Sequence, residues 1–251
     1  MSLLGKTFIV TGGASGIGKS TVRKLLELSA QVHVVDIASD IPAHGGLAGQ
    51  QRNHANVDVA SREHVRGVFD KVAAQKDVQL GGLVHCAGIM RPTEASEAGD
   101  EYLRHLWDVN VLGTWNVNTE MYRLVKASRE SGAGAGVDAL ASIVNIGSMA
   151  SVRGIADAPG YVATKHAVLG LTRSFAQSWA SAGLRVNCVA PGAVNTPMIQ
   201  GMVLEDVAPA YRGALRSLVE PDEIADTIMF LLGKGSSAIT GQVVEVNGGW
   251  P

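Results

Sequence analysis

The stretch Thr11-Gly12-Gly13-Ala14-Ser15-Gly16-Ile17-Gly18 follows a short β-branched run, Thr7 to Val10, and leads into a segment of helical period near residues 17–29. A strand that turns at once into a helix through glycines narrows the possible folds more than any other feature of this chain, because it reads as the opening unit of a parallel sheet. Glycines 12, 16 and 18 let the backbone turn sharply and approach a pyrophosphate. The charge of such a group would meet free N–H groups and the positive end of the helix dipole. The spacing is Gly-x3-Gly-x-Gly, not the commoner Gly-x-Gly-x-x-Gly.

The same alternation runs through the whole chain. Strand candidates are Thr7 to Val10, Gln31 to Val35, Leu83 to Cys86, Ser142 to Ile146, Arg185 to Val189 and Val243 to Val246, each short and nearly all apolar, as strands covered on both faces must be. Helical stretches lie near 17–29, 61–75, 100–129, 160–181 and 221–232. No linker divides them. With 251 residues, 46% of them hydrophobic, the chain reads as a single α/β domain over 1–251. Its expected architecture is a Rossmann-type, doubly wound parallel sheet with helices on both faces. The Gly/Ala-rich segment Ser131 to Ala141 reads as a flexible surface loop, and residues 195–217, which follow a strand end, as a substrate flap.

Charge and cysteine usage remove several function classes. A formal net charge of −2 gives no field for a polyanion, so nucleic acid is not expected as a partner. No uninterrupted apolar stretch of ~18 residues is present, which argues against a membrane span. The N-terminus has no basic lead before a cleavable apolar core, so no secretory signal is expected. The two cysteines, Cys86 and Cys188, sit in apolar strand candidates and read as buried thiols of a cytoplasmic protein. The histidines show no metal-ligand spacing, and no metal is expected.

Eighteen residues after Gly18, the second strand ends at Asp36, where a carboxylate can accept hydrogen bonds from adenosine ribose hydroxyls. The same charge would repel the 2′-phosphate of NADP, and Ser15, Ile37 and Ala38 offer no compensating cation, so NAD is favoured. Further on, Tyr161-x-x-x-Lys165 places a phenol and an ammonium on one helical face, and Ser148 stands thirteen residues earlier at a strand end. A free tyrosine, with a pKa of ~10, is a poor base, but a nearby ammonium and an oxidised nicotinamide both favour its phenolate. Tyr161 could then take a hydroxyl proton as hydride leaves the adjacent carbon, with Ser148 holding the same oxygen and Lys165 binding the nicotinamide ribose.

These residues, with Asp58-Val59, Ala87-Gly88, Asn110, and Pro191-Gly192 followed by Thr196, make the chain resemble the short-chain dehydrogenases/reductases over essentially its whole length. The resemblance implies a catalytic set of Asn110, Ser148, Tyr161 and Lys165, in which Asn110 holds a water linking Lys165 to solvent. It implies a cofactor-binding set of Gly12, Ser15, Gly16, Ile17, Gly18, Asp36, Asp58, Val59, Cys86, Ala87, Gly88, Tyr161, Lys165, Pro191, Gly192, Val194 and Thr196. In that set Asp58 and Val59 contact the adenine, while Val194 and Thr196 hold the nicotinamide amide. One departure stands out: the family's Asn-Asn-Ala-Gly is here His85-Cys86-Ala87-Gly88, so a thiol replaces an amide that braces the central strand. A thiol is a weaker hydrogen-bonding group, and looser local structure is expected there.

The expected activity is NAD-dependent interconversion of a secondary alcohol and a ketone. The alternatives are a ketoreductase of carrier-bound acyl chains, disfavoured by Asp36 and neutral Ser15, and a non-catalytic NAD-binding sensor or scaffold. Met198, Ile199, Met202, Val203 and Leu204, with Met90, Met149, Val152 and Ile155 opposite, predict a pocket for a hydrophobic cyclic or aromatic alcohol. Arg91 and Arg153 are the nearby charges and read as solvated. The helices near 100–129 and 160–181 carry Trp107, Val111, Leu112, Trp115, Val168, Leu171, Phe175 and Trp179. That is more apolar surface than one sheet-facing stripe requires, and it predicts a homotetramer.

Overall fold

The computed structural model describes residues 3–75, 78–92, 94–130, 141–199, 213–216 and 218–250. Seven parallel strands form one sheet: β1 (Lys6–Thr11), β2 (Gln31–Val35), β3 (Gln51–His54), β4 (Gln79–His85), β5 (Ala141–Ile146), β6 (Leu184–Pro191) and β7 (Val243–Val246). Their spatial order is β3-β2-β1-β4-β5-β6-β7, so the chain reverses its direction of travel between β1 and β4. Open sheets of this kind hold their ligands at such a point, in the crevice beyond the carboxyl ends of the strands.

The strands' alternation sorts the core into two layers. Ile9, Leu83, Ile143 and Val186 face α2 (Arg62–Ala73), α4 (Gly113–Glu130) and α5 (Pro159–Trp179). On the other side, Phe8, Val10, Val34, Val84, Val144 and Val189 face α1 (Gly16–Glu27) and α6 (Pro221–Leu232). Neighbouring residues of β1 thus enter opposite layers, and the polar side chains that the interior strands do bury, such as Asn145 and Asn187, are hydrogen-bonded.

β3 was absent from the strand candidates because its sequence, Gln-Arg-Asn-His, has no apolar pattern. It is an edge strand, and its side chains hold the loop beside it: Asn53 Nδ2 donates to the Ile41 carbonyl at 2.6 Å and Gln51 Nε2 to the Pro42 carbonyl at 2.8 Å. The helix expected over 100–129 divides into α3 (Asp100–Trp107), one π-helical turn at Asp108–Leu112, and α4. The Gly/Ala-rich loop lies outside the described residues except for Ala141, which opens β5. Of the flap, Asn195–Ile199 and 213–216 are described; Met202, Val203 and Leu204 fall outside.

The apolar residues of α4 and α5 do not all form an outer face. Val168, Phe175 and Trp179 are buried within the chain, where Trp179 stacks between Phe175 and Tyr122. Leu103, Trp107, Leu112 and Trp115 remain exposed. No described helix is long and apolar enough to cross a membrane.

Candidate active site

At the end of β1 the backbone of Gly12 takes a positive φ of 65°, and Gly16 follows at 51°. A Cβ at Gly12 would stand 2.7 Å from the Ala87 nitrogen, and one at Gly18 would overlap the Gly12 carbonyl, so this turn can be built only with glycine at both positions. Ser15 caps α1 without a side-chain hydrogen bond, and no acidic residue lies in the first turn. The leading N–H groups of α1 therefore stay open to an anion. Thr196 stands across from Gly16, 3.1 Å from where its Cβ would be, so the segment after β6 meets the turn.

Asp36, just past β2, accepts from the Ala14 N–H through Oδ2 at 2.9 Å and from the Ala38 N–H through Oδ1 at 3.0 Å. Each carboxylate oxygen keeps a further lone pair for a ligand hydroxyl. Asp58 closes its own turn onto the Ala60 N–H. Asn116, one turn into α4, donates to both the Val59 and Ala60 carbonyls at 3.0 Å and so secures that segment. Nothing in the sequence distinguished Asn116 from any other polar helix residue.

The second half of the site lies deeper. Ser148, past the end of β5, lies beside the Tyr161 phenol and favours its ionised form. The Lys165 Nζ stands 5.7 Å from the Tyr161 ring centre and donates to the Ile146 carbonyl at 2.9 Å. Burial pushes Tyr161 up to about 12, with Ser148 pulling the other way, and pushes Lys165 down to about 8. Both shifts express the cost of placing charge in a dry site. A Cβ on Gly88 would meet Asn110 Oδ1 at 3.1 Å and Lys165 Nζ at 3.5 Å, so this glycine marks a close approach beneath the crevice.

Asn110 sits in the π turn, fully buried. Its Oδ1 accepts from the Ile89 N–H at 2.9 Å, and its Nδ2 donates to the Ile89 carbonyl at 3.0 Å and to Thr164 Oγ1 at 3.1 Å. Thr164 in turn donates to the Tyr161 carbonyl at 2.8 Å. The side chain is therefore a clamp between the end of β4 and the helix that carries Tyr161. The backbone carbonyl of Asn110 accepts from the Thr114 hydroxyl at 2.6 Å, and Oδ1 keeps a lone pair beyond its bond from Ile89.

The brace expected to be weak at Cys86 is supplied one residue earlier. His85 Nδ1 pairs with Thr11 Oγ1 at 2.7 Å in the interior, and that hydroxyl also receives the Ala87 N–H at 3.3 Å. Burial, with the Lys165 charge adding to it, pushes His85 down to about 3, so the ring is neutral. Cys86 and Cys188 are both free, and burial pushes their thiols up to about 12 and about 11. Among the described residues, no cluster of three His, Cys, Asp or Glu side chains could hold a metal.

The walls near Tyr161 are apolar: Leu106, Ala150 and Ala158 pack with it, bordered by Ile89, Met90, Tyr102 and Ile155. Met149 is buried instead, against the Asn247 amide, whose Nδ2 lies 3.0 Å from its sulfur. The two charges expected to be solvated are engaged, Arg153 with Glu245 at 2.8 Å and Arg91 over the Tyr102 ring at 4.9 Å.

A family model described as enoyl-(acyl carrier protein) reductase matches residues 12–251. The chain is 35% identical to 2,5-dichloro-2,5-cyclohexadiene-1,4-diol dehydrogenase of Sphingobium indicum over 257 residues, covering 99% of this chain and 98% of that protein. Among solved structures, a short chain dehydrogenase from Mycobacterium paratuberculosis bound to NAD superposes with a TM-score of 0.83 at 29% identity, over 99% of this chain and 98% of that one. ElxO with NADP bound superposes with a TM-score of 0.83 at 27% identity, over 98% of each chain. With a family model spanning nearly all of its length and relatives that share the parallel sheet from end to end, the chain belongs to the short-chain dehydrogenase/reductase family of oxidoreductases.

Proposed function

We propose that this oxidoreductase uses NAD to interconvert a secondary alcohol and a ketone, with Tyr161 as general acid/base and a hydrophobic cyclic or aromatic alcohol as substrate. The observation that carries the proposal is the meeting of Ser148, Tyr161 and Lys165 at one end of a crevice whose other end is the glycine turn and Asp36.

The residues fit a nicotinamide dinucleotide. The open N–H groups of α1 suit its pyrophosphate, and the space kept by the missing Cβ of Gly88 suits the nicotinamide ribose. In this reading Gly12, Ser15, Gly16, Ile17 and Gly18 line the pyrophosphate, with Asp36 at the adenosine ribose and Asp58 and Val59 at the adenine. Cys86, Ala87 and Gly88 floor the site, Tyr161 and Lys165 reach the nicotinamide ribose, and Pro191, Gly192, Val194 and Thr196 hold the nicotinamide. Asp36 supports NAD over NADP: Ser15, Ile37 and Ala38 offer no cation to a 2′-phosphate. When bound, the oxidised cofactor supplies the hydride acceptor and a fixed positive charge.

A Tyr161 pushed up to about 12 is no base at neutral pH in the unliganded chain. An added positive charge in the dry site lowers that value. Tyr161 then accepts the hydroxyl proton of the alcohol while Ser148 donates a hydrogen bond to the same oxygen. The proton leaves through Lys165 and a water on the Asn110 carbonyl.

The apolar walls favour an alcohol ring over a polyol, because buried hydroxyls without partners are costly. The cyclic diol named in the Sphingobium relative supports this class. A carrier-bound acyl substrate, suggested by the description of the family model, would need basic surface for an acidic carrier, and the net charge of −2 gives it no support. We further propose a homotetramer in the cytoplasm, with the exposed Trp107, Leu112 and Trp115 as contact surface. Light scattering checks the assembly, and a mass near the monomer's 26.1 kDa would contradict it. The functional test is NADH formation from a panel of cyclic, aromatic and polyol substrates. Higher kcat/KM for ring alcohols is expected, and a preference for polyols would remove the substrate assignment.

A further inference from the structure

In the usual doubly wound plan a helix joins the second and third strands. Here residues 36–50 form an irregular loop with no helix, and that loop folds back over the glycine turn. Ile41 anchors it in the core on the α1 side. From the edge strand, Gln51 Oε1 accepts the His44 N–H at 2.9 Å, which adds to the bonds that Gln51 and Asn53 send to Pro42 and Ile41. The loop is thus held in place from the β3 side.

His44 is buried, and its Nε2 lies 2.9 Å from the Gly13 carbonyl oxygen. A carbonyl only accepts, so the proton of this bond is on Nε2. The next group along the backbone is the Ala14 N–H, held by Asp36 Oδ2. The peptide unit between Gly13 and Ala14 is therefore gripped at both ends: its oxygen by His44 and its N–H by the carboxylate proposed to read the ribose. If the oxygen is released, the peptide can rotate and the N–H can leave Asp36. The carboxylate then loses the contact that aims its remaining lone pairs.

Resting on the NAD reading above, we propose that His44 is a positioning residue for the adenosine half of the cofactor. It fixes the Gly13–Ala14 peptide and, through it, the direction of Asp36. The role differs from that of a residue that only stabilises the fold, because it predicts a change in discrimination between the two cofactors. A loosened Asp36 gives up hydrogen bonds to the NAD ribose and repels a 2′-phosphate less rigidly.

The experiment is titration of NADH and NADPH by fluorescence against the wild type, His44→Leu and His44→Gln, with thermal melts alongside. His44→Leu keeps bulk and removes the donor; His44→Gln restores an N–H donor at similar reach. We expect His44→Leu to weaken NADH roughly fivefold, the effect of about one hydrogen bond, and to change NADPH less, so that the affinity ratio narrows. His44→Gln should recover most of the ratio. Equal losses for both cofactors, no change in either, or a His44→Gln variant no better than His44→Leu would overturn the proposal. If His44→Leu does not fold, His44→Gln set against His44→Asn, whose shorter amide falls short of the Gly13 carbonyl, applies the same criterion. A wild type that binds neither cofactor would defeat the functional reading and this inference with it, whereas one that binds NADH while its variants keep the ratio defeats the inference alone.

Discussion

The two ends of the crevice are built differently. At the Tyr161 end, buried side chains make several bonds each across long stretches of chain: Asn110 reaches Ile89 and Thr164, and Thr164 reaches the carbonyl of Tyr161. At the Asp36 end, the groups facing the crevice are mostly backbone, and their direction depends on single contacts from Asp36 and His44. The first arrangement over-determines the position of reacting groups, which proton transfer requires. The second leaves room to tune which cofactor binds. Damage at the first end should therefore cost turnover or folding, and damage at the second should cost discrimination.

The largest effect that would sharpen this contrast is Tyr161→Phe, which keeps the ring and removes the proton carrier. We expect turnover to fall by at least ~10²-fold while NADH affinity stays near that of the wild type. Next is Asn110→Ala, which strips both backbone groups of Ile89 of their buried partner. It should lower stability by ~2–4 kcal/mol and turnover by about tenfold or more. A melt and a rate unchanged by this variant would show that the clamp positions nothing.

At the other end, Asp36→Ala should narrow the NAD preference by about tenfold, and adding Ile37→Arg should narrow it further. A preference that does not move would assign discrimination to another group. The smallest effect concerns the pH dependence of stability. Lys165 is held at about 8 against its ordinary 10.5, so the folded chain carries the cost of its buried charge in full below about pH 8. Between about 8 and 10.5 the unfolded chain binds the extra proton, and stability from this group rises with pH. Lys165→Met should therefore raise Tm by a few degrees at pH 6, with the gain shrinking above pH 8. A gain independent of pH would mean that the ammonium is not the source of the cost.

The sheet was legible because its interior strands are apolar on both faces, and Tyr161, Lys165 and Asp36 because their spacing relative to a strand or helix carries meaning. β3 was illegible for the opposite reason: an edge strand needs no apolar face, and Gln51 and Asn53 serve the adjacent loop. The π turn at Asp108–Leu112 has no sequence pattern distinct from the helices around it. Asn116, His44 and the His85–Thr11 brace act through contacts between residues up to 74 positions apart, which only the folded chain brings together. The imidazole beside Cys86 was hidden as a brace for the same reason, since it is adjacent in sequence but its partner Thr11 is not.

The most direct test of the account is the initial rate of absorbance at 340 nm when the wild-type enzyme is mixed with a cyclic secondary alcohol and either NAD or NADP. The account predicts reduction of NAD with kcat/KM at least tenfold above that for NADP, equivalent to ~1.4 kcal/mol of discrimination. Equal use of the two cofactors, or no reduction of either across the ring alcohols, would contradict it.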